Sequence, residues 1–141
     1  YLMKEIVNVN WLDNMGFEAD VRGMKLTLDA TEAVGGKNRG PQPKPLMLVA
    51  LAGCTGMDVI SILQKMRVEV EKFNVRVEGD LTEEHPKHFT KMHIVYEFTG
   101  KDLPLGKLEK AVNLSQDRYC GVSFNYRNAF ELSHEILIFE E

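Results

Sequence analysis

Leu46-Met47-Leu48-Val49-Ala50-Leu51-Ala52-Gly53-Cys54-Thr55-Gly56-Met57-Asp58-Val59-Ile60-Ser61-Ile62-Leu63 is apolar almost throughout, broken at Thr55, Asp58 and Ser61 and followed by Gln64, Lys65 and Arg67. Its length touches the lower limit of a bilayer span, but Asp58 and the glycines at 53 and 56 favour a helix of a soluble fold. Such a helix is expected to be buried nearly all round. A single sheet covers only one face of a helix, so a second copy of the chain is the economical cover for the other.

The flanks read as strands. Upstream, Met24, Leu26, Leu28 and Ala30 alternate with Lys25, Thr27 and Asp29, which predicts one core face and one solvent face. Phe17, Ala19 and Val21 keep that period just before Arg22-Gly23, a break suited to a hairpin, and Ile6/Val7 through Trp11 supply a third strand of an antiparallel N-terminal sheet. From Thr31 to Pro45, glycines 35, 36 and 40 and prolines 41, 43 and 45 mark a loop. Downstream, Phe73, Val75, Val77, Gly79 and Leu81 alternate with polar residues, and Met92, Ile94, Tyr96 and Phe98 repeat the rhythm after Glu84-His85-Pro86-Lys87. This is a second hairpin. Pro104, then Leu105, Leu108, Val112, Ser115 and Tyr119 at steps of three and four, indicate an amphipathic helix. Phe130, Leu132, Ile136 and Ile138 close the chain as a strand.

At 141 residues, with 44% hydrophobic and 27% charged side chains, the chain is expected to form one domain over residues 1–141. That length builds a core without metal or disulfide staples, so the two cysteines need another explanation. Seventeen basic against twenty-one acidic residues give a net charge of -4, without the basic excess of a nucleic-acid binder. No membrane association is expected. The opening residues show no export leader, which makes a cytoplasmic location with reduced thiols the expectation.

Cys54 lies in the middle of the apolar helix and Cys120 at the end of the second helix, in Tyr119-Cys120-Gly121-Val122. Buried small hydrophobes are one reading and a redox pair the other. Gly53 and Gly56 favour the second, because each costs roughly 1 kcal/mol in a helix interior relative to alanine and suggests close approach to that surface. A working thiol must be a thiolate, and half-ionising a cysteine of pKa ~8.5 at neutral pH takes about 2 kcal/mol. Cys54 sits too deep in the helix for the dipole to supply this. A guanidinium about 4 Å away would supply roughly 4 kcal/mol at an effective dielectric of 20, before desolvation. The loop offers Lys37, Arg39 and Lys44, and Arg39 is preferred because its planar fork holds both a thiolate and a peroxide oxygen. Asp58, four residues after Cys54 and on its face, raises the thiol pKa unless a cation pairs with it.

Other candidates are weaker. Gly35-Gly36-Lys37-Asn38-Arg39-Gly40 lacks the ending and context of a phosphate loop. His85, His88 and His93, with two scattered cysteines, match no familiar zinc spacing, and no metal is expected. Tyr96, Phe98, Tyr119, Phe124 and Tyr126 read as aromatic core or the lining of an apolar pocket.

Two motifs carry a family resemblance. Pro43-Lys44-Pro45 through Gly53-Cys54-Thr55-Gly56-Met57-Asp58-Val59, and Leu114-Ser115-Gln116-Asp117-Arg118-Tyr119-Cys120, resemble the OsmC/Ohr family in order and spacing. The likeness is closest to a branch whose helix reads GCTGMDV or GCSGIDV and whose second hairpin carries Glu-His-Pro, here Glu84-His85-Pro86. The resemblance implies an intertwined homodimer of α+β protomers, with antiparallel sheets packed around long buried central helices and an active site at the subunit interface. It also implies a thiol-dependent peroxidase of organic hydroperoxides, with Cys54 as the attacking thiolate, Cys120 as the resolving cysteine, an external dithiol as reductant and no cofactor. One departure stands out: Lys44 and Pro45 occupy the positions where characterised branches place a glutamate. The alternative reading is a non-catalytic relative, a dimeric ligand-binding or stress-response protein.

Overall fold

The computed structural model describes residues 3–140, in an N-terminal unit that ends at Met47 and a C-terminal unit that starts at Leu48.

In the N-terminal unit, β1 (Asn8–Asp13), β2 (Gly16–Val21) and β3 (Met24–Leu28) form an antiparallel sheet in sequential order. Val21 pairs with Met24 across Arg22-Gly23, where φ is +52° and +85°. Both turn residues are thus left-handed, the geometry whose twist matches the flanking strands, and glycine takes the second position without strain. The expectation of a core-facing side is corrected here. Val9, Trp11, Phe17, Val21, Met24 and Leu26 share a face with buried Ala19, yet they are 37% to 66% exposed.

The loop after β3 is anchored by Asp29. Its carboxylate accepts the backbone N–H of Ala30 at 2.8 Å and those of Lys37 and Arg39 at 3.3 Å each, and the Arg39 Nε–H at 2.7 Å. The other end of the guanidinium meets Asp13 Oδ1 at 2.8 Å. Gly16 makes room for this, since a Cβ there would stand 2.0 Å from Arg39 Nη2.

α1 (Pro45–Lys65) leads into the C-terminal unit, where β4 (Lys72–Leu81), β5 (Phe89–Thr99) and β6 (Glu131–Phe139) make a sheet in that order. β4 and β5 are antiparallel, as their alternation predicts, but β6 runs parallel to β5. The expectation of purely antiparallel sheets fails because the β5–β6 connection is a helical crossover, which returns the chain in the same direction. Met92, Ile94, Tyr96 and Phe98 on one face of β5 are fully buried, and Phe73 of β4 stacks on Phe98 with ring centroids 4.7 Å apart. Leu51, Val59 and Leu63 of α1 and Leu108, Ala111 and Val112 of α2 (Leu105–Leu114) complete this core.

The helix α1 is not buried all round within the chain. Leu51, Thr55, Val59 and Leu63 form a buried stripe at spacing four, while Val49 is 61% and Met57 77% exposed, with Gly53 open between them. One sheet covers one face, as the geometry of packed layers requires.

Candidate active site

After α2 the chain does not stop at Cys120 as a simple helix end. Residues 115–119 form a widened turn closed by the Cys120 N–H on the Ser115 carbonyl, five residues back, at 2.7 Å. The backbone breaks at Cys120 and restarts as α3 (Gly121–Arg127). Such wide turns concentrate at functional sites because they redirect a side chain that a regular helix would carry elsewhere. Here the redirected side chain is Cys120, whose sulfur caps α3 by accepting the Ser123 N–H at 3.3 Å.

The turn delivers Cys120 to α1. Cys54 and Asp58, one helical turn apart on the same face, meet it so that the two sulfurs and an Asp58 oxygen all lie within 4.8 Å of one another. Both cysteines are free thiols, Cys120 buried and Cys54 half-buried. Cys54 and Cys120 also line a cavity of about 510 Å³, together with Arg118, Tyr119, Phe124 and Arg127. Tyr119 and Phe124 are 56% and 62% exposed, so they edge this opening rather than filling the core.

Burial pushes the Cys54 thiol up, the neighbouring Cys120 and the Asp58 charge push it further, and the Val122 N–H on its sulfur opposes them. Asp58, in turn, accepts the Ser115 hydroxyl at 3.0 Å. Behind it, Thr55 Oγ1 lies 2.7 Å from both Ser115 Oγ and Tyr96 Oη, and Gln116 Nε2 donates to Tyr96 Oη at 2.8 Å and to Thr55 at 3.1 Å. The Arg127 guanidinium donates to the Gln116 carbonyl at 2.8 Å. Burial holds the Tyr96 phenol up at about 12.

Of the three expected site residues, the structure therefore brings Cys54 and Cys120 together. Arg39 belongs to the N-terminal unit, where Asp29 and Asp13 engage it. His93 is taken by Ser133 at 2.7 Å and Glu135 at 2.6 Å. Ser115 and Gln116 stand in the second motif without an assigned role and Arg127 carries no sequence signal, although Thr55 and Asp58, three residues apart in an apolar run, signal a polar partner on that face.

The family model described as "OsmC-like protein" matches residues 35–135. Protein YhfA of Escherichia coli K12 is 31% identical over 127 residues, covering 89% of this chain and 92% of its own. A hypothetical protein from Aquifex aeolicus superposes with a TM-score of 0.85 at 28% identity, over 99% of both chains. The organic hydroperoxide resistance protein OhrB of Bacillus subtilis superposes with a TM-score of 0.67 at 17% identity, over 97% of this chain and 100% of that one.

Proposed function

Because the chain belongs to the OsmC-like protein family, we propose that it is a cytoplasmic, homodimeric thiol peroxidase that reduces organic hydroperoxides through Cys54 and Cys120. The observation that carries this reading is the meeting of the two sulfurs, within 4.8 Å, beside a cavity that opens to solvent. The hydroperoxide resistance named for OhrB, a structural neighbour, supports the substrate class. Gly53-Cys54-Thr55-Gly56-Met57-Asp58-Val59 and Glu84-His85-Pro86 support a place in the family branch that carries those motifs.

In the proposed cycle the Cys54 thiolate attacks a peroxide oxygen, the O–O bond breaks, and the alkoxide takes a proton to leave as the alcohol. Cys54 is then a sulfenic acid. The Cys120 thiol attacks that sulfur, water leaves, and a disulfide joins the pair. An external dithiol restores both thiols by exchange, becoming oxidised itself, and no metal or organic cofactor takes part. Arg39 is the cation proposed for the thiolate. Asp29 at Nε and Asp13 at Nη2 position it, and these two carboxylates also offset its charge, so this role rests on the family resemblance and on its place in the loop before α1.

The homodimer is supported by what each unit leaves uncovered. On α1 and β4, Val49, Gly53, Gly56, Met57, Phe73 and Val75 line an apolar hollow. On the N-terminal sheet, the Trp11 and Met24 face is exposed. Contiguous apolar surface of this kind is rare on a monomer, and a second copy presents the same surface in return.

A second reading, the non-catalytic ligand-binding or stress-response dimer, is favoured by the upward push on the Cys54 thiol and by Lys44-Pro45 in place of the family glutamate. Counting free thiols after mixing reduced protein with cumene hydroperoxide separates the two. Rapid loss of two thiols per chain, abolished in Cys54→Ser, supports the peroxidase, whereas thiols that persist for hours support the binding protein.

A further inference from the structure

We propose that the reduced protein binds one zinc ion per chain through Cys54 Sγ, Cys120 Sγ and an oxygen of Asp58. The sequence hides this site. Its ligands are scattered, with none of the short Cys-x-x-Cys spacings that mark a zinc motif, and only the widened turn after α2 brings Cys120 to the Cys54 and Asp58 face of α1.

The geometry is close to closed. In a tetrahedral site with Zn–S bonds of about 2.3 Å, neighbouring donor atoms stand roughly 3.7 Å apart. The three donors here lie within 4.8 Å of one another, so closure asks for at most about 1 Å of side-chain movement. Their supports are firm. Cys54 and Asp58 project one turn apart from a 21-residue helix, and Cys120 is only 3% exposed, with its sulfur fixed by the Ser123 N–H.

The donor set selects the ion. Two sulfurs with one carboxylate are too soft for magnesium or calcium and suit a borderline ion such as zinc. Three protein ligands leave one tetrahedral position free for water or an exchangeable ligand, and two of the three donor residues, Cys54 and Cys120, line the cavity. An oriented second layer is already present, because the Ser115 hydroxyl donates to Asp58 Oδ2 at 3.0 Å and is itself held by Thr55 at 2.7 Å. Hydrogen bonds of this kind aim a ligating carboxylate and strengthen its hold on the metal.

This inference concerns the resting dithiol and needs no turnover. The test is a titration of reduced, chelator-stripped protein with Co²⁺ and then Zn²⁺ under argon, without hydroperoxide, so its failure leaves the peroxidase reading standing and the converse holds too. The expected result is one equivalent per chain, a near-ultraviolet sulfur-to-cobalt band, and displacement of cobalt by zinc. Cys54→Ser should abolish the band, Asp58→Asn should weaken binding, and Ser115→Ala should keep the stoichiometry while weakening affinity about 10- to 100-fold. Fully alkylated wild-type protein should bind none. Far-UV circular dichroism checks that Cys54→Ser, a half-buried position, remains folded. The proposal is overturned if the folded, reduced protein shows no sulfur-to-cobalt band and surrenders all zinc to a chromophoric chelator. It is equally overturned if binding survives Cys54→Ser and disappears in His93→Ala, which would place the metal on surface histidines.

Discussion

The Ser115 hydroxyl donates to Asp58 Oδ2 across 3.0 Å, and this one bond sets the direction of every hydroxyl behind it. A serine has a single O–H, so Ser115 receives the proton of Thr55, and Thr55 in turn receives that of Tyr96. Gln116 adds N–H donors to Thr55 and Tyr96. The carboxylate beside the two sulfurs thus terminates a buried, polarised chain that begins in the centre of β5. Such a chain is worth most when every member is satisfied.

Removing its central link tests this. Ser115→Ala leaves the buried Thr55 without an acceptor and the half-buried Asp58 without its donor, and the expected loss is about 1–3 kcal/mol. The midpoint of urea unfolding, followed by far-UV circular dichroism, measures it. A midpoint equal to that of the wild type would show that the hydroxyl chain contributes nothing to stability.

The pH profile of Cys54 alkylation reads what surrounds this thiol. Burial first, then Cys120 and Asp58, push its titration above the ordinary value of 9.0, so the thiolate fraction and the iodoacetamide rate should still be climbing past that pH. Asp58→Asn removes one repelling charge, which lowers the pKa and moves the rate profile to lower pH. Arg39→Ala, if this guanidinium holds the thiolate, moves it to higher pH. Thiolate absorbance at 240 nm tracks both shifts, and an unchanged profile for Arg39→Ala would remove that residue from the site.

Acid should loosen the N-terminal unit in a defined window. The Arg39 guanidinium, aided by the N–H groups of Ala30, Arg39 and Lys37 and opposed by burial, holds the Asp29 carboxyl at about 2, against an ordinary 3.8. A carboxyl depressed in the folded state contributes stability that is fully present above the unfolded value and is lost as pH falls through the folded one. The contribution therefore disappears between about pH 4 and pH 2. Trp11 in β1, the chain's single tryptophan, reports on this unit by fluorescence. Asp29→Asn should flatten the pH dependence of its denaturation midpoint across that window.

The uncovered face of α1 makes a prediction about assembly. Met57→Asp puts a charge at a position 77% exposed within the chain. If a second copy covers that face, the charge is desolvated and the mass measured by light scattering falls from that of two chains to that of one. An unchanged mass would move the dimer contact elsewhere.

Periodicity made much of this structure readable in advance. Alternation located both hairpins, and the apolar run located α1 to within two residues at each end, Leu46–Leu63 read against Pro45–Lys65 observed. Four things resisted. The alternation of Val122, Phe124 and Tyr126 with Ser123, Asn125 and Arg127, a strand-like period, hid α3, and a turn closed by a bond from residue 120 to residue 115 has no sequence period. The parallel pairing of β6 depends on the route of the crossover rather than on β6 itself. Hydrophobic patterning marks which residues avoid water but not which chain covers them, so the apolar faces of α1 and of the N-terminal sheet read as core although this chain leaves them exposed. At the site, family motifs pointed to the cysteine pair, while the Ser115–Asp58 bond joins residues 57 positions apart and carries no local signature.

The central claim is that two sulfurs, one from α1 and one from the turn before α3, act together on a hydroperoxide. The most direct test mixes reduced protein with one equivalent of cumene hydroperoxide, quenches on a time course, and maps the thiols by mass spectrometry. Loss of both thiols with a Cys54–Cys120 disulfide and stoichiometric alcohol is the predicted result, and Cys120→Ser should stop at a trappable sulfenic acid on Cys54. Intact thiols and unconsumed hydroperoxide after hours with folded protein would contradict it.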